Sequence, residues 1–422
     1  MNPEWINSHL MDSIAAIIFG LALLHTFSAK SIAGLSHRYP AHSGLFHLLG
    51  EVEVVFGFWA FILIAFMAVL SGGKQALDYA ESRQYTEPLF VFVVMVVAAS
   101  RPILEAVRKS VFAIAQALPG KVAILQVWLG LALVPLLGSL ITEPAAMTLA
   151  ALLLAPLVFR PGIPEWLKYA ALGVLFVNVS IGGTLTSYAA PPVLMVATTW
   201  QWDTAFMAAH FGWKAAVAVI VNASVVTFLL RRHLGTAASA STRSPEAVPL
   251  LVSLIHLAFL AGVVMFAHHP VIFFGLFLLF LGFTQAYERY QNPLILKEGL
   301  LVGFFLAGLV VLGGMQQWWL QPIVSRLEPM ALFFGSVGLT AITDNAALTY
   351  LGSLIAGISD DAKYMLVAGA VAGGGLTVIA NAPNPAGVAL LKQGFQDASI
   401  GAGGLLLGAL PPTLVAMAMF LV

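Results

Sequence analysis

Two eight-residue segments of this chain, about 200 residues apart, are nearly the same. Residues 141–148 read ITEPAAMT and residues 342–349 read ITDNAALT, so five of the eight positions are identical and an acid follows Ile-Thr in both. The two acids, Glu143 and Asp344, lie in long apolar sequence, where a carboxylate is costly unless it faces a wet cavity, binds a cation or is protonated. The pair therefore predicts a site for a cation and a proton.

Neutral oxygen atoms accompany both acids. The nearby Pro, Gly and Ala residues favour interrupted helices, and unwound backbone exposes carbonyl oxygens that are hard ligands for a small cation. Side chains predicted to complete the coordination are Thr142, Thr148, Thr343, Asn345 and Thr349. The structural alternative is that the acids only hold two helices together, but their recurrence beside helix breakers favours the binding interpretation.

A second motif recurs downstream of each acid. Residues 182–186 read GGTLT and residues 373–377 read GGGLT, and Ala and Pro follow both at the same spacings. Glycine permits unusual backbone and proline cannot continue an ordinary helix, so both segments predict broken helices that line a cavity. The polar side chains expected there are Thr184, Thr186, Ser187, Thr377, Asn381 and Asn384. Kinked spans in tight packing are the alternative.

A third polar group occurs near the start of the apolar stretch from Phe46 to Leu70. His47 and Glu51 are four residues apart and would share one face of a helix, whereas Glu53 would point elsewhere. Because histidine changes charge near neutral pH, His47 and Glu51 are candidates for a proton relay. An interfacial helix end with Glu51 hydrogen-bonded to another helix fits the same pattern.

Composition sets the class of protein that contains these groups. Of the 422 residues, 60% are hydrophobic and 9% are charged, against roughly 25% charged in soluble domains. Continuous apolar runs of about 20 residues are long enough to cross a bilayer as helices, and strand-like alternation is lacking. The sequence predicts an all-α polytopic membrane protein.

The order of the apolar runs is the same in the two halves of the chain. Each half gives three helices, an element interrupted at the acid, a broken helix and a final helix. We expect a first transmembrane repeat at 1–230, a linker at 231–248 and a second repeat at 249–422. If each interrupted element is a re-entrant hairpin, each half crosses the membrane an odd number of times, so the repeats have inverted topology.

The positions of the basic residues agree with this topology. Under it, most Lys and Arg residues, including Arg231 and Arg232 of the linker, fall on one side of the membrane. By the positive-inside rule that side is the cytoplasm, which places both termini outside an inner (cytoplasmic) membrane.

Enzymatic chemistry is not expected. The chain has no cysteine, which removes thiolate catalysis and cysteine metal sites. It lacks an HExxH zinc-protease pattern and an ATP-binding GK[ST] loop, and the acids do not stand in the Tyr-Asp and Gly-x-Gly-Asp contexts of intramembrane aspartyl proteases. We therefore predict no cofactor and no catalytic residue.

The motifs resemble those of the ion transporter superfamily over nearly the whole chain. Residues 50–53 (GEVE) with Phe58-Trp59, Thr343-Asp344-Asn345 and residues 381–387 (NAPNPAG) are similar to a family of Na⁺/H⁺ antiporters, with the NhaD-like branch, arsenite permeases and sodium-coupled dicarboxylate carriers as relatives. In the dicarboxylate carriers the hairpin tips carry Ser-Asn-Thr. This chain has an acid at each tip instead, a departure that favours a cation over a dicarboxylate.

The resemblance and the residues together predict a secondary transporter that exchanges Na⁺ or Li⁺ for H⁺ by alternating access. In this scheme Glu143 and Asp344 bind cation and proton competitively. The alternative is Na⁺-coupled transport of a small anion, held by backbone N–H groups at the half-helix N-termini. Relatives of this superfamily are dimers, so the resemblance implies a homodimer.

Overall fold

The structure, a computed structural model, describes residues 3–234, 247–324 and 326–422. Within these ranges all regular secondary structure is helical, which confirms the all-α membrane class. Most of the predicted linker at 231–248 lies outside the described residues.

The helices of the first half follow one another with short connections. They are α1 (Pro3–Arg38), α2 (Ser43–Leu49), α3 (Val52–Leu70), α4 (Gly73–Glu81), α5 (Thr86–Ala98), α6 (Arg101–Ala117), α7 (Val122–Leu131), α8 (Leu133–Ile141), α9 (Glu143–Leu154), α10 (Glu165–Gly182), α11 (Pro191–Trp200), α12 (Thr204–Met207) and, after a π-helical turn at Ala208–Gly212, α13 (Trp213–Leu230).

The second half of the chain is also a series of helices. Its helices are α14 (Leu250–Met265), α15 (Pro270–Ala286), α16 (Leu296–Gly313), α17 (Gln317–Val324), α18 (Pro329–Ile342), α19 (Asn345–Ser353), α20 (Asp360–Gly373), α21 (Asn384–Leu391) and α22 (Ala402–Phe420).

Several of these helices can cross a membrane by length and composition. Among the described residues, four helices are each long and apolar enough to span a bilayer: Glu165–Leu185, Thr204–Leu230, Leu296–Gly313 and Ala402–Phe420. Three further pairs of helices, each bent at a short break, are long and apolar enough only when the two helices are taken together. Further apolar helices, such as α14 and α15, are shorter. The multi-pass architecture is therefore present, while an odd number of crossings in each half stays a prediction.

Proline sets the start of many helices. Pro144 is in the first turn of α9, Pro191 and Pro192 open α11, and Pro385 is in the first turn of α21. Proline is favoured there because the first turn of a helix has no partner for its N–H groups. The breaks expected from the sequence at the two acids and the two glycine motifs are all present: α8 ends before Glu143, α18 ends before Asp344, and α10 and α20 end at the glycines.

The chain folds into two compact units. One comprises Met1–Phe92, Leu296–Leu327 and Tyr350–Ile358, and the other comprises Val93–Ile295, Glu328–Thr349 and Ser359–Val422. We call them the first and second unit. Each takes segments from both predicted repeats, so this division does not test the repeat boundaries at 1–230 and 249–422, which stay predictions.

Within the first unit, α3 and α16 pack so closely that a side chain on Gly308 would meet the backbone of Gly57. Within the second unit, α10 crosses α22 and α18 packs along α20. These crossings also occur at glycines, Gly173 against Gly408 and Gly369 against the backbone of Phe333. Small residues allow such close approach of membrane helices. The first interrupted element, the second one as far as Thr349, and both broken helices belong to the second unit.

Within the second unit the same contact forms twice. The hydroxyl of Thr186, after the first broken helix, donates to the carbonyl of Ser139 (2.7 Å), just before the first acid. The hydroxyl of Thr377, after the second broken helix, donates to the carbonyl of Ala341 (2.8 Å), just before the second acid. Each broken helix is thus fixed to the helix that leads into the acid of its own half.

Candidate functional site

The first acid stands at a strained break between α8 and α9. Thr142 has φ 79° and ψ 152°, a conformation that β-branched residues rarely adopt. Such backbone costs on the order of 1–3 kcal/mol and persists where surrounding structure holds it, often at functional sites. Thr142 is buried, and its hydroxyl has no hydrogen-bond partner in the described part of the protein.

The carboxylate of Glu143 is fully buried, and only one of its two oxygens has a hydrogen-bond partner among the described residues. Oε2 accepts a hydrogen bond from Nδ2 of Asn381 (2.8 Å), whereas Oε1 has no hydrogen-bond partner among the described residues. A Cβ on Gly183 would stand 2.6 Å from Oε1, so the carboxylate packs directly on the backbone of the first broken helix. One hydrogen bond does not compensate for the burial of an ionised carboxylate, whereas a coordinated cation or a bound proton would neutralise its charge.

Asn381 connects segments from the two halves of the chain within the second unit. It lies in the break of the second broken helix, between α20 and α21, and its side-chain amide donates a hydrogen bond to Glu143, the acid of the first half of the chain. The packing of α9 on α21 supports this approach. The carbonyl oxygen of the Asn381 side chain is buried without a hydrogen-bond partner in the described ranges, so an amide oxygen and a carboxylate oxygen are both available to a cation.

More buried oxygens without described partners occur in the same elements. They are the side-chain oxygens of Asn345, Asn384, Thr142 and Thr340. Buried polar atoms are nearly always hydrogen-bonded in proteins, so a concentration of exceptions calls for a ligand or a function. Carboxylate, amide and hydroxyl oxygens are the ligand types of hard cations.

The second acid has a different environment. Asp344 precedes α19 and is half-buried, and its Oδ1 accepts hydrogen bonds from the backbone N–H groups of Ala346 (2.8 Å) and Ala347 (3.1 Å). It therefore acts as an N-cap for its own helix. Asp344 lies close enough to Glu143 for a charge on one acid to act on the other.

Asn345 places the second tip against the second broken helix. A Cβ on Gly374 would come 2.9 Å from Nδ2 of Asn345 and would also meet Oγ of Ser180. Ser180 donates to the carbonyl of Val371 (2.8 Å). Asn384 donates from one amide nitrogen to the carbonyls of Gly374 and Thr377, both at 2.8 Å, which holds the bend between α20 and α21.

Four predicted threonines donate their hydroxyl hydrogens to nearby backbone. Thr148 donates to Pro144, Thr343 to Leu339, Thr349 to Ala346 and Thr184 to Ile181. These hydroxyls satisfy carbonyls within three or four residues. The roles of Thr148, Thr343 and Thr349 as cation ligands, and of Thr184 in the broken-helix cavity, stay predictions. Ser187 contacts Thr204 (3.3 Å) and lines a separate cavity described below.

The expected helical face shared by His47 and Glu51 does not form. α2 ends at Leu49 and α3 begins at Val52, and the two helices are sharply bent relative to each other. Glu51 instead forms an ion pair with Lys297 (3.1 Å), and His47 is exposed. The side chain of Glu53 lies outside the described residues. Gly50 is the C-cap of α2, and a glycine here lowers the cost of ending the helix because it destabilises a helix interior.

Sequence reasoning missed three small polar residues of this site. Ser139 accepts at its hydroxyl from the backbone N–H of Leu185 (2.9 Å) and donates to the carbonyl of Gly182 (2.7 Å). Thr340 and Ser180 are also fully buried beside the glycine motifs. One signal was available, because Ser139 and Thr340 stand three residues before the threonine of each repeated motif.

Comparisons with known proteins agree with this architecture. The family described as "Putative Na+/H+ antiporter" matches residues 10–422. Among solved structures, the Alcanivorax borkumensis YdaH transporter, whose crystal structure revealed an unusual topology, is similar with a TM-score of 0.50 and 16% identity. The similarity covers 87% of this chain and 96% of that chain, and at this identity it supports the fold alone. No curated protein matches the sequence.

Proposed function

Because the chain belongs to the family described as "Putative Na+/H+ antiporter", we propose that this membrane transporter exchanges Na⁺ or Li⁺ for H⁺. The observation that carries the proposal is the carboxylate of Glu143, fully buried with one oxygen hydrogen-bonded and one without a described partner. Such a group is stable at membrane depth when it holds either a proton or a cation. Competition between the two at one carboxylate is the basis of exchange.

The neighbouring residues have separate tasks in this scheme. Asn381 orients Glu143 through its amide N–H and offers its own carbonyl oxygen to the cation. Asp344 raises the negative potential at the site, which attracts a cation and is relieved when either ion binds. Thr142 and Asn345 supply further oxygens.

Alternating access requires that this set of groups open in turn to each side of the membrane. We propose that the broken helices allow this, since unwound backbone can change conformation without the loss of a long helix. Close contacts of Gly183 with Glu143 and of Gly374 with Asn345 hold each acid-bearing break against the broken helix of its own half.

The competing function is Na⁺-coupled transport of a small anion. A negative and fully buried Glu143 would repel an anion bound beside it. An anion held at the start of α11 would also find fewer N–H donors, because Pro191 and Pro192 have none. Both observations favour a cation, so the anion carrier remains the second candidate.

Location and assembly follow from the same scheme. We propose an inner-membrane protein with both termini outside and the linker at 231–248 in the cytoplasm, as the positive-inside rule predicts. A homodimer, and membership of the NhaD-like branch, stay predictions from the resemblance.

Purified protein in liposomes that contain a pH-sensitive dye tests the function. Na⁺, Li⁺ and K⁺ are added in turn to wild type, Glu143→Gln and Glu328→Gln, a control at an exposed glutamate in the same unit. We expect proton movement with Na⁺ or Li⁺, retained in Glu328→Gln and reduced at least about 100-fold in Glu143→Gln, in line with the contribution of one proton-transferring group.

Failure has a clear form in this assay. No cation response from wild type that is folded and inserted would exclude the antiporter, and sodium-dependent anion uptake would then be measured. Wild-type proton movement in Glu143→Gln would show that exchange occurs without the Glu143 carboxylate.

A further inference from the structure

A cavity of about 620 Å³, lined by both polar and apolar side chains, lies in the second unit beside the first broken helix. Its walls come from the segment after that broken helix, from the end of α11 and the start of α12, and from the end of α14. Side chains that matter for the argument are Ser187, Tyr188, Thr198, Asp203 and His268. Of these, the sequence assigned a role only to Ser187, as a polar side chain of the broken-helix cavity.

Only a short extended segment separates this cavity from the surroundings of Glu143. Gly183 and Ala190 lie together beside the Glu143 carboxylate, and Ser187 and Tyr188 between them line the cavity. Thr186 is extended, so neighbouring side chains point in opposite directions. Its hydroxyl bonds inward to the carbonyl of Ser139 (2.7 Å), while Ser187 contacts Thr204 at the cavity wall (3.3 Å).

The charge that lines the cavity is negative. Asp203 is exposed and uses Oδ1 to accept from the backbone N–H of Phe206 (2.7 Å), which caps α12. The end of α11 adds partial negative charge from its last carbonyls, since Gln201 terminates it in a left-handed conformation. Nearby Lys363 lies 5.9 Å from the ring centre of Trp200, but it pairs with Asp360 at 2.7 Å.

We propose that this cavity is a vestibule that collects monovalent cations on their way to Glu143, with Asp203 as the attracting group. The proposal rests on the proposed cation exchange for its physiological meaning. Both loops that form the mouth, 201–204 and 266–269, fall on the outer side in the predicted topology. A negatively charged concave surface with low-dielectric walls raises the local cation concentration and therefore the rate of arrival.

The absence of cysteine from the chain makes a direct chemical test available. Ser187→Cys and, separately, Thr198→Cys are purified in detergent and treated with a cationic and an anionic methanethiosulfonate reagent of similar size. Each is made with Asp203 intact and with Asp203→Asn, which keeps an oxygen for the helix cap. Gln75→Cys, on the exposed surface of α4 in the first unit, is the control.

We expect both cavity cysteines to react faster with the cationic reagent, and Asp203→Asn to lower the ratio of the two rates at least about threefold at low salt. The ratio at Gln75→Cys should not change. If Asp203→Asn leaves the ratio of the two rates unchanged at both Ser187→Cys and Thr198→Cys, the proposal is wrong. Two cysteine positions are used so that the test still works if one of the variants does not fold.

A transport measurement separates this proposal from the proposed function. In Asp203→Asn the apparent KM for Na⁺ should rise about threefold at low ionic strength with kcat unchanged, and the difference should disappear at about 1 M of a non-transported salt, where screening is nearly complete. If wild type shows no exchange, the proposed function fails, yet the labelling ratios still decide whether the cavity concentrates cations. A KM that stays at the wild-type value would reject the vestibule even where exchange is normal.

Discussion

Glu143 and Asp344 occupy equivalent places in two nearly identical segments, yet the protein treats them differently. Glu143 is fully buried, accepts one side-chain hydrogen bond and stands after a residue with φ 79°. Asp344 is half-buried, accepts two backbone hydrogen bonds and follows Thr343, which has an ordinary extended conformation with φ −135°. Both acids belong to the same unit.

A single pair of residues accounts for much of this difference. When the two glycine motifs are aligned, Asn381 of the second broken helix corresponds to Ala190 of the first. Asn381 donates to Glu143, but Ala190 has no amide group to offer Asp344. Asp344 therefore uses its own helix as donor. The two similar segments therefore differ in the group that the equivalent position of the other broken helix offers to each acid.

The largest effect is expected from Gly183→Ala. Its Cβ would stand 2.6 Å from Oε1 and 2.8 Å from Cγ of Glu143, so the carboxylate must move. Because displacement of a reacting group by about 1 Å can reduce a rate about 100-fold, we expect a loss of that size in dye-monitored Na⁺/H⁺ exchange. Gly374→Ala, which meets Ser180 and Asn345, should reduce exchange less. Gly338→Ala has nothing within 4 Å and serves as the control.

Asn381→Ala removes the donor that distinguishes the two tips. A hydrogen bond to a charged group contributes roughly 1.5–3 kcal/mol, so the apparent KM for Na⁺ should rise about tenfold or more. Asn381→Asp, which replaces the donor with a second acid, should not restore the wild-type KM. A wild-type KM in Asn381→Ala would show that the contact with Glu143 has no part in ion binding.

Asp344→Asn tests whether the second acid acts by charge or by capping. Asparagine still accepts from the N–H groups of Ala346 and Ala347 but carries no charge, so we expect only about a threefold rise in the KM for Na⁺, the size of a partly screened charge interaction. Asp344→Ala should show the same KM and, in addition, lose about 1 kcal/mol of stability with the cap. Complete loss of exchange in Asp344→Asn would make the two acids equal partners.

The smallest effect concerns the backbone of the two tips. Thr142→Gly should raise the free energy of unfolding by about 1 kcal/mol, because glycine adopts positive φ without strain. Thr343→Gly should lower it by roughly 1–2 kcal/mol, since a glycine in ordinary backbone adds entropy to the unfolded chain and the hydrogen bond from Thr343 to Leu339 is lost. Thermal unfolding in detergent measures both, and shifts of the same sign would contradict the difference in conformation.

The fold was predictable because its signals are local. Apolar runs, prolines and glycines fix helix positions through hydrophobic length and through the missing N–H of proline. α15 and α22, for example, are continuous apolar helices of 17 and 19 residues. The break before α3 was not expected, because a continuous apolar run hides the effect of Gly50. His47 and Glu51 were therefore misplaced on one helical face.

The sequence by itself determined that this is a helical membrane protein with two tips, each carrying one acid beside a helix break, since composition and short motifs act through nearby residues. Only the tertiary structure decided which acid is buried, that Asn381 reaches Glu143 from 238 positions away, and that Ser187 belongs to a separate cavity. Burial and hydrogen bonding depend on which helices meet, and equal motifs acquire unequal environments when their partners across the fold differ.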